Sequence, residues 1–202
     1  MELNDWGADV VRKARHAAGR CNLISSRTQG DAMKKLLLTA LALSTFSPAQ
    51  AAGTSLLNYI QGSGGKVQLE NGLFVVSKRT TDLNYITLGV APMGQTAQGR
   101  LDRIGIFAFK DRLSAAEVDL LATNVTRVAS KCFNISKERG DAMAAWLKQE
   151  NQTLLHSTTK SFGPMNLTFV RNVTEEGNFF TAVHMQRTGQ PGISPWLNYC
   201  VK

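Results

Sequence analysis

The chain is short of the residues that assemble familiar active sites. It holds three histidines and three cysteines in 202 residues. Beyond residue 51 there is no C-x-x-C pair, no H-E-x-x-H metal helix and no G-x-S-x-G nucleophile elbow. These absences point away from a resident metal and from the common hydrolase motifs, and no cofactor is expected. Acids are scarce as well, 15 against 23 Lys and Arg, but the bases form scattered pairs such as Lys78-Arg79, Lys110/Arg112 and Lys137/Arg139. Such pairs read as solvated faces, so no nucleic-acid partner is expected. Gly62-Ser63-Gly64-Gly65-Lys66-Val67 lacks phosphate-loop spacing and has Val67 where a hydroxyl should follow the lysine, which makes it a hinge. Long apolar runs are missing too. The longest, residues 36–46, falls well below the roughly 20 residues that a bilayer core requires.

That short run has its own meaning. Met33-Lys34-Lys35 precedes it, and Ser47-Pro48-Ala49-Gln50-Ala51-Ala52 follows, with small residues spaced A-x-A. A charged start, an apolar centre and a small-residue site make residues 33–51 a secretory signal peptide, cut between Ala51 and Ala52. Residues 1–32 then read as a non-native or leader extension. Residues 52–202 form a single exported domain, periplasmic or secreted, with no stable membrane anchor after cleavage. This part retains 16 bases and 11 acids, a net charge of +5, suited to solubility and weak attraction to anionic envelope polymers.

Cleavage leaves Cys132 and Cys200 as the only cysteines, an even pair in an oxidising compartment. They are expected to form a disulfide that ties the C-terminal tail to the end of a helix.

The patterning of the exported part predicts an α+β domain. Residues 54–60 suggest a short helix. Val67 and Leu69, then Asn71-Gly72, then residues 73–76 mark a hairpin, because both turn residues tolerate positive φ. Residues 83–90 read as a third strand, Pro92 to Gly99 as a loop, and residues 103–109 as a fourth strand. Ser114-Ala115-Ala116-Glu117 is a capping box, followed by a stripe of Val118, Leu121, Ala122, Val125, Val128, Ala129 and Cys132 at helical spacing. Ser136 is expected to cap a second helix that buries Met143, Trp146 and Leu147. Two further strands, residues 165–170 and 179–187, flank a turn at Glu175-Glu176-Gly177-Asn178. The sum is a mostly antiparallel sheet of about six strands, ordered ββββααββ, with two helices packed on one face.

Few side chains compete for a functional role. His184 should share a strand face with Phe180 and Ala182 and is a weak catalytic candidate. His156 is expected near the end of the second helix, favoured there by the helix dipole. Trp196 and Tyr199 form an aromatic tail cluster that is a weak ligand-binding candidate, with covering the core edge beside Cys200 the favoured role. Phe107 and Phe109 are expected in the core. Five Asn-x-Ser/Thr triplets, including Asn124, read as compositional chance. Enzyme and non-enzyme both stay open. An exported, non-enzymatic envelope or binding module, partnered by an envelope protein or polymer, leads. A small secreted hydrolase with dispersed catalytic residues and a pocketless structural or inhibitor-like protein follow.

Overall fold

A computed structural model describes residues 54–189 and 198–202. The expected leader, both expected cleavage residues Ala51 and Ala52, and Trp196 lie outside the described residues. The elements run β1 (Thr54–Ser55), α1 (Leu56–Gln61), β2 (Lys66–Glu70), β3 (Leu73–Arg79), β4 (Tyr85–Gln95), β5 (Leu101–Ala108), α2 (Ala115–Cys132), α3 (Glu138–Glu150), β6 (His156–Ser161), β7 (Met165–Val173), β8 (Phe179–Arg187) and β9 (Cys200–Val201). Strands β2 to β8 form one antiparallel sheet in the order β2-β3-β4-β5-β8-β7-β6, and β1 pairs with β9 in parallel. The expected α+β class holds, with seven strands in the main sheet and three helices among the described residues. No helix among the described residues is long and apolar enough to cross a membrane.

Local chemistry accounts for much of this. Asn71 and Gly72 take φ values of 51° and 80°, and the two-residue turn places Glu70 opposite Leu73. At the start of α2 the Glu117 amide donates to Ser114 Oγ, while the Ser114 amide donates to Glu117 Oε2 at 2.8 Å. The capping box is therefore complete. Every member of the α2 stripe is buried. It packs on the sheet face lined by Val76, Leu88, Ile104, Ile106, Leu167, Phe169, Val183 and Met185, which alternate along their strands with residues of the opposite face.

Several expectations need correction. The sequence pattern misses β6, because His156–Ser161 is a polar edge strand whose Ser, Thr and Lys show no apolar alternation. The third strand starts at Tyr85 and continues through Pro92 to Gln95 instead of breaking into a loop. Register shifts at Pro92/Gly94 and Gly94/Gln95 absorb the proline. Ser136 does not cap α3. Lys137 holds that position with no side-chain cap bond, and the Ser136 hydroxyl bonds the Glu138 carboxylate instead. His156 does lie beside the end of α3, against its last residue Glu150, but from the strand that follows. It opens β6, with Nε2 2.8 Å from Glu150 Oε2, Nδ1 2.5 Å from the Leu154 carbonyl, and its ring stacked on Phe169.

Two buried arginines tie the layers together. Arg171, 2% exposed, donates to the Thr153 and Asn151 carbonyls and to Asn151 Oδ1, fastening the end of α3 to β7. Arg187 donates to the Cys132 carbonyl at 2.5 Å and lies over the Phe133 ring, closing the end of α2. Burial pushes the Arg187 pKa down to about 10. The Cys132–Cys200 disulfide spans the same corner, with Cα atoms 5.0 Å apart.

Candidate functional site

The sequence-derived candidates do not converge. His184 projects from β8 on the face away from the helices, between Gly105 of β5 and Thr168 of β7. It borders a small apolar cluster of Ala91, Phe107, Val170, Phe180 and Ala182 on that face. Desolvation, reinforced by the positive charge of Arg103, lowers its pKa to about 4, so the ring is neutral near pH 7. Tyr199 lies elsewhere, half-buried beneath the Arg100 guanidinium at 4.2 Å from the ring centre.

A cleft forms instead at one end of the sheet, where β5 leaves the ladder and β8 enters it. Its volume is about 630 Å³, and its lining includes Phe109, Lys110, Asp111, Glu176, Asn178 and Phe179. One wall follows from the last ladder pair of β5, Ala108 with Thr181. Beyond that pair the chain turns sharply, the Lys110 amide donating to the Ala108 carbonyl at 3.0 Å. The other wall is the β7–β8 turn, closed by Gly177 amide to Thr174 carbonyl at 2.9 Å and Thr174 amide to Asn178 carbonyl at 2.8 Å. Gly177 takes φ 83°, a conformation for which glycine carries no steric penalty.

The first wall is held from behind. Thr181 Oγ1 sits 3.0 Å from the Lys110 carbonyl and 2.9 Å from the Asp111 carbonyl, within donor reach of both. The Lys110 ammonium is 2.6 Å from Glu117 Oε1, so the α2 capping box also anchors this turn. Burial pushes the Glu117 carboxyl up, but bonds from Lys110 and from the Ser114 amide and hydroxyl outweigh it and leave the pKa below its ordinary value. Arg171 Nε stands 3.8 Å from Asp111 Oδ1, an attraction beyond hydrogen-bond range.

Two large rings remain in solvent at this cleft. Phe109 is 60% and Phe179 is 44% exposed. Phe107 meets Phe109 edge-on, with centroids 5.7 Å apart and planes at 76°. The expectation that both 107 and 109 fill the core is thus corrected. Phe107 is buried on the far face, and Phe109 escapes because the ladder ends one residue before it. The sequence names Phe109, Lys110, Glu176 and Asn178 as a core ring, a solvated base and turn residues, and nothing in it brings them together as a cleft. The usable signal was the pair Phe179-Phe180 directly after a turn, since adjacent strand residues must point to opposite faces.

No family model matches the chain, and neither the curated proteins nor the solved structures compared with it give a match.

Proposed function

We propose that residues 52–202 are an exported, non-enzymatic binding module of the cell envelope, and that the cleft between Phe109 and Phe179 is its ligand surface. The carrying observation is the pair of exposed phenyl rings on walls held by backbone and side-chain bonds. Fully burying such a ring is worth about 2–3 kcal/mol, and this fold leaves two of them largely unburied on a pre-organised concave surface. That favours ligand contact over a pocketless structural role. Export is supported by the leader pattern of residues 33–51 and by the Cys132–Cys200 disulfide. An envelope protein or polymer is the expected partner.

The test is bacterial expression of the full chain, followed by intact-mass analysis and co-sedimentation with isolated envelopes. The expected product begins at Ala52, lacks two hydrogens, and sediments with envelopes, whereas F109A/F179A protein stays in the supernatant. A chain that keeps residues 33–51 and remains cytosolic overturns export. Equal sedimentation of wild type and double variant overturns the cleft as the binding surface.

A further inference from the structure

We propose that the β3–β4 hairpin makes a reversible membrane contact, its tip setting Leu83 and Tyr85 into the surface of an anionic lipid bilayer. The hairpin reaches past its neighbours. Pairing of β3 with β4 continues to Arg79 opposite Tyr85, whereas β2 leaves β3 at Ser77 and β5 leaves β4 at Gly89. Residues 78–86 therefore project as a two-stranded ribbon, rooted in the core by Ile86. At the tip the Thr80 amide donates to the Asn84 carbonyl at 2.8 Å and the Leu83 amide to the Thr80 carbonyl at 3.2 Å. This turn holds Leu83 at φ 62°, a left-handed conformation that strains a bulky side chain. The fold recovers little of that cost by packing, because Leu83 is 66% and Tyr85 70% exposed. An apolar side chain kept in solvent at a strained, protruding point suits a contact outside the chain.

Charge and depth select the occupant. Tyr85 and Arg79 are cross-strand partners and share the face turned away from the helices, and Lys66 shares it further back, opposite Ser77. Lys78 is exposed on the other face. These three cations flank the ribbon against the one carboxylate of Asp82, and among the described residues no salt bridge engages any of the three. Receding from the tip come an aliphatic side chain, a phenol beside a guanidinium, and then two ammonium groups. At a rise of about 3.3 Å per residue they span roughly 10–15 Å. A bilayer surface offers the matching order, an acyl boundary, then the interfacial zone that aromatic rings favour, then anionic headgroups. A saccharide polymer supplies anions but no acyl layer for Leu83. The contact is separate from the cleft, and it is weak, since two side chains bury far less than a lipid chain.

The experiment is co-sedimentation of the oxidised product of full-chain expression with two kinds of vesicle, phosphatidylcholine alone and phosphatidylcholine mixed with phosphatidylglycerol at roughly 3:1. Wild type is expected to partition onto the anionic vesicles with a coefficient on the order of 10³ M⁻¹, and at least about ten-fold more weakly onto the neutral ones. Leu83→Gly relieves the strain, so its melting temperature should equal or exceed that of wild type while its partitioning falls about five-fold. Tyr85→Ser should fall similarly, and K78Q/R79Q should lose most of the preference for anionic vesicles. F109A/F179A should bind vesicles as wild type does, which separates this contact from the cleft. Absence of wild type from both vesicle pellets, or unchanged partitioning in Leu83→Gly and Tyr85→Ser, overturns the membrane contact. Equal binding of wild type to both vesicles overturns its anionic character. Retention by isolated envelopes but not by vesicles, lost in Leu83→Gly, makes the tip a protein contact and overturns the lipid assignment.

Discussion

Asn151 and Leu113 hydrogen-bond each other in both directions, although 38 residues separate them. The Leu113 amide donates to Asn151 Oδ1 at 3.1 Å, and Asn151 Nδ2 donates to the Leu113 carbonyl at 2.9 Å. A buried side-chain amide thus imitates a strand partner for the segment that enters α2. The same Oδ1 accepts Arg171 Nη2 at 2.7 Å.

Removing that amide should therefore cost more than an average polar deletion. Asn151→Ala strands the Leu113 amide and carbonyl and takes one acceptor from a buried guanidinium. The expected loss is about 2–4 kcal/mol, read from the urea midpoint with an unchanged m-value. A loss under about 0.5 kcal/mol would show that the network contributes little.

His184 makes stability depend on acidity. Its folded pKa, about 4, lies below its ordinary value of 6.5, so between those values the unfolded chain binds a proton that the folded chain refuses. Stability from this group is intact above pH 6.5 and declines as pH falls toward 4, by on the order of 3 kcal/mol in all. Comparing wild type with His184→Gln by denaturant titration from pH 7.5 to 4 should show a flatter profile in the variant. Parallel profiles would refute the linkage.

Gly89 has no room for a side chain. An added Cβ would lie 2.5–2.9 Å from three ring atoms of Phe107. Gly89→Ala must displace that ring, at about 1–3 kcal/mol, and the displacement should reach Phe109 through their edge-on contact. Thermal melts measure the first effect, and altered amide shifts at residues 109–111 report the second. A variant as stable as wild type, with those shifts unchanged, contradicts this packing.

The disulfide closes a separation of 68 residues. Chain-entropy reasoning gives it about 4 kcal/mol. Replacing both Cys132 and Cys200 by alanine should lower the urea midpoint accordingly, and dithiothreitol should reproduce the shift in wild type but not in the double variant. An unshifted midpoint in the double variant would contradict the entropy argument.

Local signals were legible and long-range ones were not. Asn71-Gly72 and Ser114/Glu117 act within a few residues, so their type was readable from the chain alone. The α2 stripe and the alternation of Met165, Leu167 and Phe169 identified the core for the same reason. Strand β6 was hidden because an edge strand with polar side chains carries no burial pattern, and its pairing depends on β7. Pro92 reads as a strand breaker in the sequence, but a bulge set by the partner strand removes the usual penalty within β4. The cleft was illegible because Phe109 continues an alternating strand pattern, and only the turn at Lys110 takes it out of the ladder. His184 was placed on the correct face, but its depressed pKa comes from burial and from Arg103, which alternation does not report.

The two-residue pairing of Thr54–Ser55 with Cys200–Val201 joins the farthest-separated strands of the described fold. So brief a ladder gains too little to offset the entropy of closing the whole intervening chain. The sulfur bridge changes that arithmetic by mooring Cys200 beside the end of α2, which leaves only a short search for its partner strand. Oxidation thus acts as the latch for both ends of the domain. In a reducing solution the seven-stranded sheet should persist while these outermost residues exchange their amide hydrogens freely.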